Sequence, residues 1–188
     1  MLVIHRLGPA KMTLADVASQ VGMAPATLMQ RFGSKRGLLL AVARHSAESV
    51  GQQFADIRQG HDSALASLGA VAASMTHMVE TPEALANSLA FLQMDLADPE
   101  FHRHALAHAR AMRAEIRALL DAAIAAGELA DCDTRRLARA LHGMLNGSLL
   151  TWAVDQDGAV EKRVKEDMEM LLVPLRRTRR PAPRKMRR

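Results

Sequence analysis

The sequence is poor in the residues from which disulfide-bonded or metal-clustered proteins are built. Cys132 is its only cysteine, which excludes an internal disulfide and a cysteine-based metal cluster. No apolar run reaches the roughly eighteen residues that a membrane-spanning helix requires, and the opening stretch MLVIHRLGPAKM lacks the long apolar core of a signal peptide. We therefore expect a soluble protein in the reducing cytoplasm, without a membrane partner.

Residues that favour β-strands are also scarce. The chain has no tyrosine, and aromatic side chains make up only 3% of its 188 residues, whereas alanine and leucine, which favour helices, are plentiful. No segment shows the alternation of apolar and polar residues that a half-buried strand requires. The composition predicts an all-α fold, and the length suffices for a substantial core.

Enzyme signatures are missing as well. The sequence contains no GxGxxG, no Walker loop, no GxSxG and no HExxH motif, so we expect neither catalysis nor a cofactor. His104 and His108 lie one helical turn apart, with His102 and Glu100 nearby, which makes a weak metal-site pattern. Since no further ligand converges in the sequence, a solvated polar face explains these histidines better, and no metal is predicted.

A two-helix pattern fills residues 12–36, MTLADVASQVGMAPATLMQRFGSKR. Thr13, followed three residues later by Asp16, is typical of a capping box, and it predicts a helix that begins near Leu14. The apolar spacing then continues for about two turns. Gly22 ends this helix, because a helix commonly closes with a left-handed residue that glycine adopts at little cost.

The second helix of this pattern begins at Pro25, whose fixed φ suits a first helical turn, and runs to about Arg31 with Leu28 buried. Two short helices joined by a glycine turn form the helix-turn-helix, in which the second helix enters the major groove of DNA. An ordinary αα-hairpin is the alternative.

Charge is divided sharply along the chain. Residues 1–45 hold six basic and one acidic side chain, residues 46–175 hold 11 basic and 19 acidic, and residues 176–188 hold eight basic and none acidic. A surface for nucleic-acid phosphates is therefore expected at the N-terminal end, since most of the remaining body would repel DNA.

The remaining segments predict further helices, and the first of them is short. Residues 2–7 form the last turns of a first helix that Gly8 and Pro9 break. Because that helix is short, either the true start lies upstream of Met1, or apolar faces such as those of Val17 and Val21 are expected to be poorly covered. Turn residues and apolar periodicity place the later helices. Their expected ranges are 35–58, 63–80, 82–97, 99–126, a segment from residue 133 through Trp152, and 159–175.

The last residues form a basic segment, RRTRRPAPRKMRR, with two prolines and no apolar periodicity. It is expected to be disordered, and either to add sequence-independent affinity for DNA or to remain a solvated tail. The predicted domains are thus a DNA-binding domain at 1–45, a helical ligand-binding domain at 46–175, and a tail at 176–188.

A ligand pocket is suggested by methionines on successive helices, because methionine adapts its shape to apolar ligands. Ordinary core packing is the alternative for each of them. A few polar and aromatic side chains nearby could complete such a pocket. The candidate residues are Met75, Met78, Phe91, Met94, Met112, His142, Asn146 and Trp152.

The helix-turn-helix segment resembles the tetracycline-repressor (TetR) family. The matching residues are Thr13, Asp16, Val17, Ala18, Gly22, Thr27, Leu28, Phe32, Ser34, Lys35 and Leu38. The spacing matches without a gap, and the stretch from Gly127 to Gly147 resembles the family's sensor domains more weakly.

The resemblance implies a transcriptional regulator, most commonly a repressor, that acts as a homodimer on a palindromic operator. The helices from residue 133 and at 159–175 would form the dimer interface, and a small, largely apolar effector would release DNA. Thr13 and Lys35 would hold phosphates, while Ala26, Thr27, Gln30 and Arg31 face bases or backbone. The implied DNA-binding set is Thr13, Ala24, Pro25, Ala26, Thr27, Met29, Gln30, Arg31 and Lys35.

Two departures from the family pattern support a second hypothesis. Ala24 stands where the family usually has a serine cap, which costs roughly 1 kcal/mol of helix stability. Met29 replaces a tyrosine whose hydroxyl commonly reaches phosphate. Together with the truncated first helix, they suggest a dimeric helical ligand-binding protein with weakened or lost DNA binding.

Overall fold

The computed structural model describes residues 2–79 and 81–176. Within these ranges the regular structure is helical, apart from a single antiparallel bridge between Leu129 and Arg176. The helices are α1 (Leu2–Lys11), α2 (Leu14–Gln20), α3 (Pro25–Phe32), α4 (Lys35–Glu48), α5 (Val50–Gln59), α6 (Ala64–His77), α7 (Pro82–Ala97), α8 (Pro99–Ala125), α9 (Thr134–Asp155) and α10 (Val160–Leu172). The all-α fold is confirmed.

The larger hydrophobic core lies among α5 to α10. It is built around α8, the longest helix, whose Ile116, Leu120 and Ala123 are almost completely buried. They recur at the three- and four-residue spacing of one helical face. α9 and α10 close the core from the other side, with Leu141 and Val164 buried.

A second, smaller core joins the N-terminal helices to α7 and α8. Met12 and Leu39 come from the N-terminal part of the chain, whereas Phe101 comes from the first turn of α8, and all three are almost fully buried. The ring of Phe91 on α7 meets Phe101 edge to face, with ring centroids 6.0 Å apart. The N-terminal helices thus complete their core with side chains from the rest of the protein.

The predicted helix at 35–58 is interrupted, which is a correction to the sequence analysis. The structure divides it into α4 and α5 at Ser49. The hydroxyl of Ser49 donates to the carbonyl oxygen of Ser46 at 3.4 Å, and the side-chain amide of Gln53 donates to that hydroxyl at 2.9 Å. Serine side chains that bond back to the preceding turn bend helices, which explains the break.

The predicted break in the first helix is present at Gly8, but helical structure continues after it. Gly8 has φ 72° and ψ 157°, outside helical geometry, but helical structure resumes from Pro9 to Lys11, because proline suits a first helical turn. α1 packs on α7, where the side-chain amide of Asn87 donates to the carbonyl oxygen of Arg6 at 3.2 Å. A Cβ atom on Gly8 would lie 2.5 Å from Asn87 Oδ1, so a larger residue would displace the Asn87 side chain, and the positive φ independently favours glycine.

Some apolar side chains of the helix-turn-helix are exposed, whereas Val17 packs against the smaller core. Val21 is 54% exposed and Met29 is 51% exposed, while Val17 is half-buried.

The C-terminal part of the fold differs slightly from expectation. α10 ends at Leu172, and a 3₁₀ turn covers Val173–Leu175, because Pro174 cannot donate a backbone hydrogen bond. Arg176 belongs to the folded body through its bridge to Leu129. The remainder of the predicted disordered tail, from residue 177, lies outside the described residues.

Removal of a core side chain near the C-terminal end of α8 should destabilise the whole protein. Leu120→Ala is expected to cost about 2–5 kcal/mol in free energy of unfolding, because it deletes fully buried methyl groups and leaves a cavity. Leu96→Ala makes the same change at a side chain that is 70% exposed, and it should cost little. Urea unfolding followed by circular dichroism measures both, and equal losses would contradict the assigned core.

Candidate nucleic-acid interface

The start of α2 is fixed by a capping box. The amide of Asp16 donates to Thr13 Oγ1 at 3.2 Å, and the amide of Thr13 donates to Asp16 Oδ2 at 2.7 Å. The Thr13 hydroxyl also donates to that carboxylate. These hydrogen bonds favour the charged carboxylate, so they hold the pKa of Asp16 below its usual value. The predicted capping box is confirmed.

α3 presents nearly its whole surface to solvent. Leu28 is buried and Phe32 is half-buried, and these two side chains anchor the helix. Gly33 ends α3 with φ 72°. The remaining residues predicted to contact DNA here are all exposed: Ala24, Pro25, Ala26, Thr27, Met29, Gln30 and Arg31. The helix therefore projects as an accessible ridge, which is the form that a major groove admits.

No side chain caps the start of α3. Ala24 has extended backbone geometry at the N-cap position, but its methyl group cannot accept a hydrogen bond. The next helix, α4, is capped normally, because the amide of Gly37 donates to the hydroxyl of Ser34 at 3.0 Å. The structure thus confirms the prediction that α3 begins without a side-chain cap.

The basic side chains of the N-terminal segment are used in different ways. The Arg31 guanidinium carbon lies 5.5 Å from the centroid of the Phe32 ring, which directs it along the exposed side of α3. Lys35 is half-buried, and its Nζ donates to the carbonyl oxygen of Ala10 at 2.7 Å. Arg36 and Arg44 contact acidic side chains. Fewer cations are therefore available for phosphates than the charge count alone indicates.

Arg36 forms a fork that joins the helix-turn-helix to the rest of the protein, and this contact was not predicted from the sequence. Its Nη2 lies 2.8 Å from Asp98 Oδ2 and its Nη1 lies 2.8 Å from Glu100 Oε2. The guanidinium also lies over the ring of Phe101, 5.6 Å from the centroid. Arg36 holds the pKa of Asp98 below its usual value by hydrogen bonding and charge. No local pattern in the sequence pairs residues this far apart.

The eight predicted ligand residues are distributed over two cores. Met112 is buried and Met75 partly buried in the larger core, whereas Phe91 and Met94 pack against the smaller core beside the N-terminal helices. Met78, after the end of α6, is 47% exposed. These side chains therefore do not surround one common space.

The three predicted ligand residues on α9 have separate environments. Trp152 is buried, and its indole N–H donates to the carbonyl oxygen of Gly158 at 3.0 Å. Asn146 is exposed and donates to the carbonyl oxygen of His142. His142 is half-buried, and burial, followed by the charges of Arg113 and His108, lowers its pKa. A neutral imidazole at neutral pH is the consequence.

One histidine of α8 contacts a neighbouring helix. Nδ1 of His108 lies 3.1 Å from the carbonyl oxygen of Ser46 on α4. Over residues 2–79 and 81–176, no three metal-binding side chains converge. Within the same ranges, no helix is both long and apolar enough to cross a lipid bilayer.

Two further features had no signal in the sequence. Asp95 on α7 has one buried carboxylate oxygen that accepts no hydrogen bond from the described residues. Burial raises the pKa of Asp95 to about 6, against a smaller opposing effect of His102. A groove of about 1010 Å³ also lies between α6 and α10, away from the eight predicted ligand residues.

Comparisons with known proteins identify two parts of the chain. Residues 3–42 match the family model described as bacterial regulatory proteins, tetR family. Residues 64–175 match the model described as BetI-type transcriptional repressor, C-terminal. A comparison with curated protein sequences finds no match.

Solved structures with the same fold cover nearly the whole chain. A TetR-family transcriptional regulator from Agrobacterium tumefaciens is 19% identical with a TM-score of 0.69, over 93% of this chain and 92% of that one. A TetR transcription regulator from Haloarcula marismortui is 18% identical with a TM-score of 0.69, over 93% of both chains. The regulator FadR from Bacillus subtilis, in complex with stearoyl-CoA, is 19% identical with a TM-score of 0.64, over 90% and 92%.

A serine at the start of α3 should supply the missing cap. Ala24→Ser is expected to raise the free energy of unfolding by about 1 kcal/mol, because the hydroxyl can accept from a free amide of the first turn. Ala15→Ser, at an exposed position inside α2, should instead be neutral or slightly destabilising. Urea unfolding compares them, and an equal effect of both substitutions would show that the cap is not the cause.

Asp95 should make stability depend on pH in an identifiable window. Because its folded pKa is raised to about 6 from 3.8, the folded state binds more protons between these values, and stability falls as pH rises through the window. Asp95→Asn should stabilise the protein at neutral pH by on the order of 1 kcal/mol, a value reduced because the side chain is only partly buried.

The gain from Asp95→Asn should fade as pH falls below about 4, since the wild-type carboxyl is then protonated in both states. Urea unfolding across this range measures it, with Asp62→Asn as an exposed control. A gain that is independent of pH would rule out the carboxylate charge as its origin.

Proposed function

The chain belongs to the tetR family of bacterial regulatory proteins and is a DNA-binding transcriptional regulator, and we propose that it acts as a homodimeric, ligand-responsive repressor on a palindromic operator. The observation that carries this proposal is the exposed ridge of α3, anchored only by Leu28 and Phe32. A helix with that much free surface, beside a charge distribution that confines DNA to the N-terminal end, fits the major groove.

The DNA contacts follow from the geometry of this ridge. We assign Thr13 and Lys35 to phosphates. Lys35 begins α4, where backbone amides favour anions, whereas the hydroxyl of Thr13 would exchange its hydrogen bond to Asp16 for one to a phosphate. Lys35 uses one donor on Ala10, which leaves its other ammonium protons for a phosphate. Gln30 and Arg31 have the donors that read base edges. Ala24, Pro25, Ala26, Thr27 and Met29 complete the contact surface.

The dimer interface is assigned to α9 and α10. Gly143, Gly147, Leu150 and Val154 recur at the spacing of one helical face, and all four are exposed. Leu150 is 46% and Val154 80% exposed. A Cβ atom on either glycine would meet nothing within 4 Å. On α10, Met170 is 76% exposed. Exposed apolar stripes on adjacent helices are typical of a subunit interface.

An effector would act on the position of the two recognition helices. We propose that a small, largely apolar molecule binds among α6 to α9 beside two of the predicted ligand residues, Phe91 and Met94 on α7. Phe91 and Met94 contact the smaller core that carries the N-terminal helices, so a shift of α7 would move the helix-turn-helix. Such a ligand changes DNA affinity only by its differential affinity for the two states.

A mobility-shift assay with the DNA that flanks the protein's own gene tests DNA binding. Arg31→Ala should weaken binding by about 1–3 kcal/mol, if its guanidinium reads a base. Lys35→Ala should reduce the slope of log affinity against log salt by about 1 per subunit, because one phosphate contact is lost.

Lys162→Ala is the matched control. Lys162 is an exposed lysine on α10 beside Glu166, and its substitution removes the same charge away from the helix-turn-helix. Absence of a shift at low salt would reject DNA binding here, and the chain would then be a helical ligand-binding protein that has lost it. Equal effects of Lys35→Ala and Lys162→Ala would reject the phosphate assignment.

Sedimentation velocity tests the dimer interface. Val154→Arg should convert the dimer into a monomer, because it places a charge within an apolar contact. Leu96→Arg changes a similarly exposed side chain on α7 and should leave the dimer intact. A wild-type protein that sediments as a monomer at all concentrations would overturn the assignment.

A further inference from the structure

The groove between α6 and α10 is lined by a floor of small and apolar side chains. Ala66, Gly69 and Ala73 come from α6, and Val164 and Met168 come from α10. A Cβ atom on Gly69 would meet nothing within 4 Å, so another backbone can approach this floor closely. The two ends of the groove carry charged groups.

Acidic groups outnumber basic groups around this groove. Glu128, Glu161 and Glu169 line it, against Lys165 and Arg176. Glu161 lies at the end beside His77, whose Nδ1 is 3.6 Å from its carboxylate, and Glu169 lies at the opposite end beside Arg176. A basic occupant therefore complements the groove.

The last described residue already occupies one end. Arg176 Nη2 lies 2.6 Å from Glu169 Oε1. Its neighbour Leu175 is fixed by the amide of Ala130, which donates to the Leu175 carbonyl oxygen at 2.7 Å. Residues 177–188, RTRRPAPRKMRR, follow directly and carry seven basic and no acidic side chains. The basic segment thus begins inside the groove, and tethering gives its next residues a high effective concentration there.

We propose that the C-terminal segment from residue 177 docks in the groove between α6 and α10, with Arg180 paired to Glu161. Glu161 and Glu169 are eight residues apart on α10, which corresponds to about 12 Å along the helix. An extended chain covers that distance with about four residues. Arg180, four residues after Arg176, therefore reaches Glu161 when the segment turns back along α10.

In the docked state, part of the basic C-terminal segment would lie against the acidic residues of the helical domain. Those arginines are then unavailable to phosphates, so the segment adds less non-specific affinity for DNA than its charge predicts. The docking itself does not depend on DNA binding, and its test uses the protein without DNA.

Limited trypsin digestion of the full chain, followed by intact mass, tests the docking. Cleavage after Arg177 reports on the docked part, and cleavage after Arg184 reports on the end beyond it. Glu161→Arg should raise the ratio of the first rate to the second by roughly two- to fivefold, the effect of an exposed ion pair. Combining it with Arg180→Glu should restore the wild-type ratio.

Glu166→Arg is the matched control, because it reverses an exposed charge on another face of α10 and should not change the ratio. Gly69→Leu places a larger side chain in the groove at a position where a Cβ atom meets nothing within 4 Å, and it should also release the segment. This second variant keeps the test open if Glu161→Arg unfolds the protein. The same ratio in all variants would overturn the proposal. Protection that is lost on dilution would also overturn it, since a second copy would then fill the groove.

Discussion

The position of the DNA-reading helices depends on the contact between Arg36 and the start of α8. An exposed ion pair contributes little energy by itself, but a guanidinium that binds two carboxylates and covers an aromatic ring has few alternative orientations. Burial of Phe101 supplies the energy that the charges do not. The aromatic contact therefore stabilises the junction, and the fork links α4 to the start of α8.

The same arrangement explains the chemistry of the exposed ridge. Arg36 and Arg44 are directed toward acidic side chains, so α3 itself presents mostly small and neutral groups with Arg31 as its cation. Such a surface gains affinity by close approach and hydrogen bonding more than by charge. The acidic body reinforces this division, because it leaves the N-terminal end as the favourable site for a polyanion.

The sequence allowed prediction of the features that depend on neighbouring residues. The capping box at Thr13, the non-helical Gly8 and the missing cap at Ala24 are all local, and the structure has them. The interruption at Ser49 was missed, since a serine side chain inside a helix gives no periodic signal.

Features that need distant residues could not be read in the same way. Arg36 and Asp98 are joined by tertiary packing alone, and the burial of one oxygen of Asp95 depends on how α7 lies against its neighbours. The methionine pattern predicted a single pocket, whereas the packing divides those side chains between two cores. Helical periodicity shows which face is apolar but not which neighbour covers it.

The shared core around Phe101 has a consequence for protein engineering. Regulators of this architecture invite chimeras, in which the DNA-reading part of one protein is grafted onto the sensor of another. In this chain a cut after residue 45 would separate Met12 and Leu39 from the aromatic side chain that covers them. The exchangeable module therefore includes the corner where α7 meets α8. A graft that omits this corner would transfer the residues that contact DNA without the core contacts that keep their helices folded.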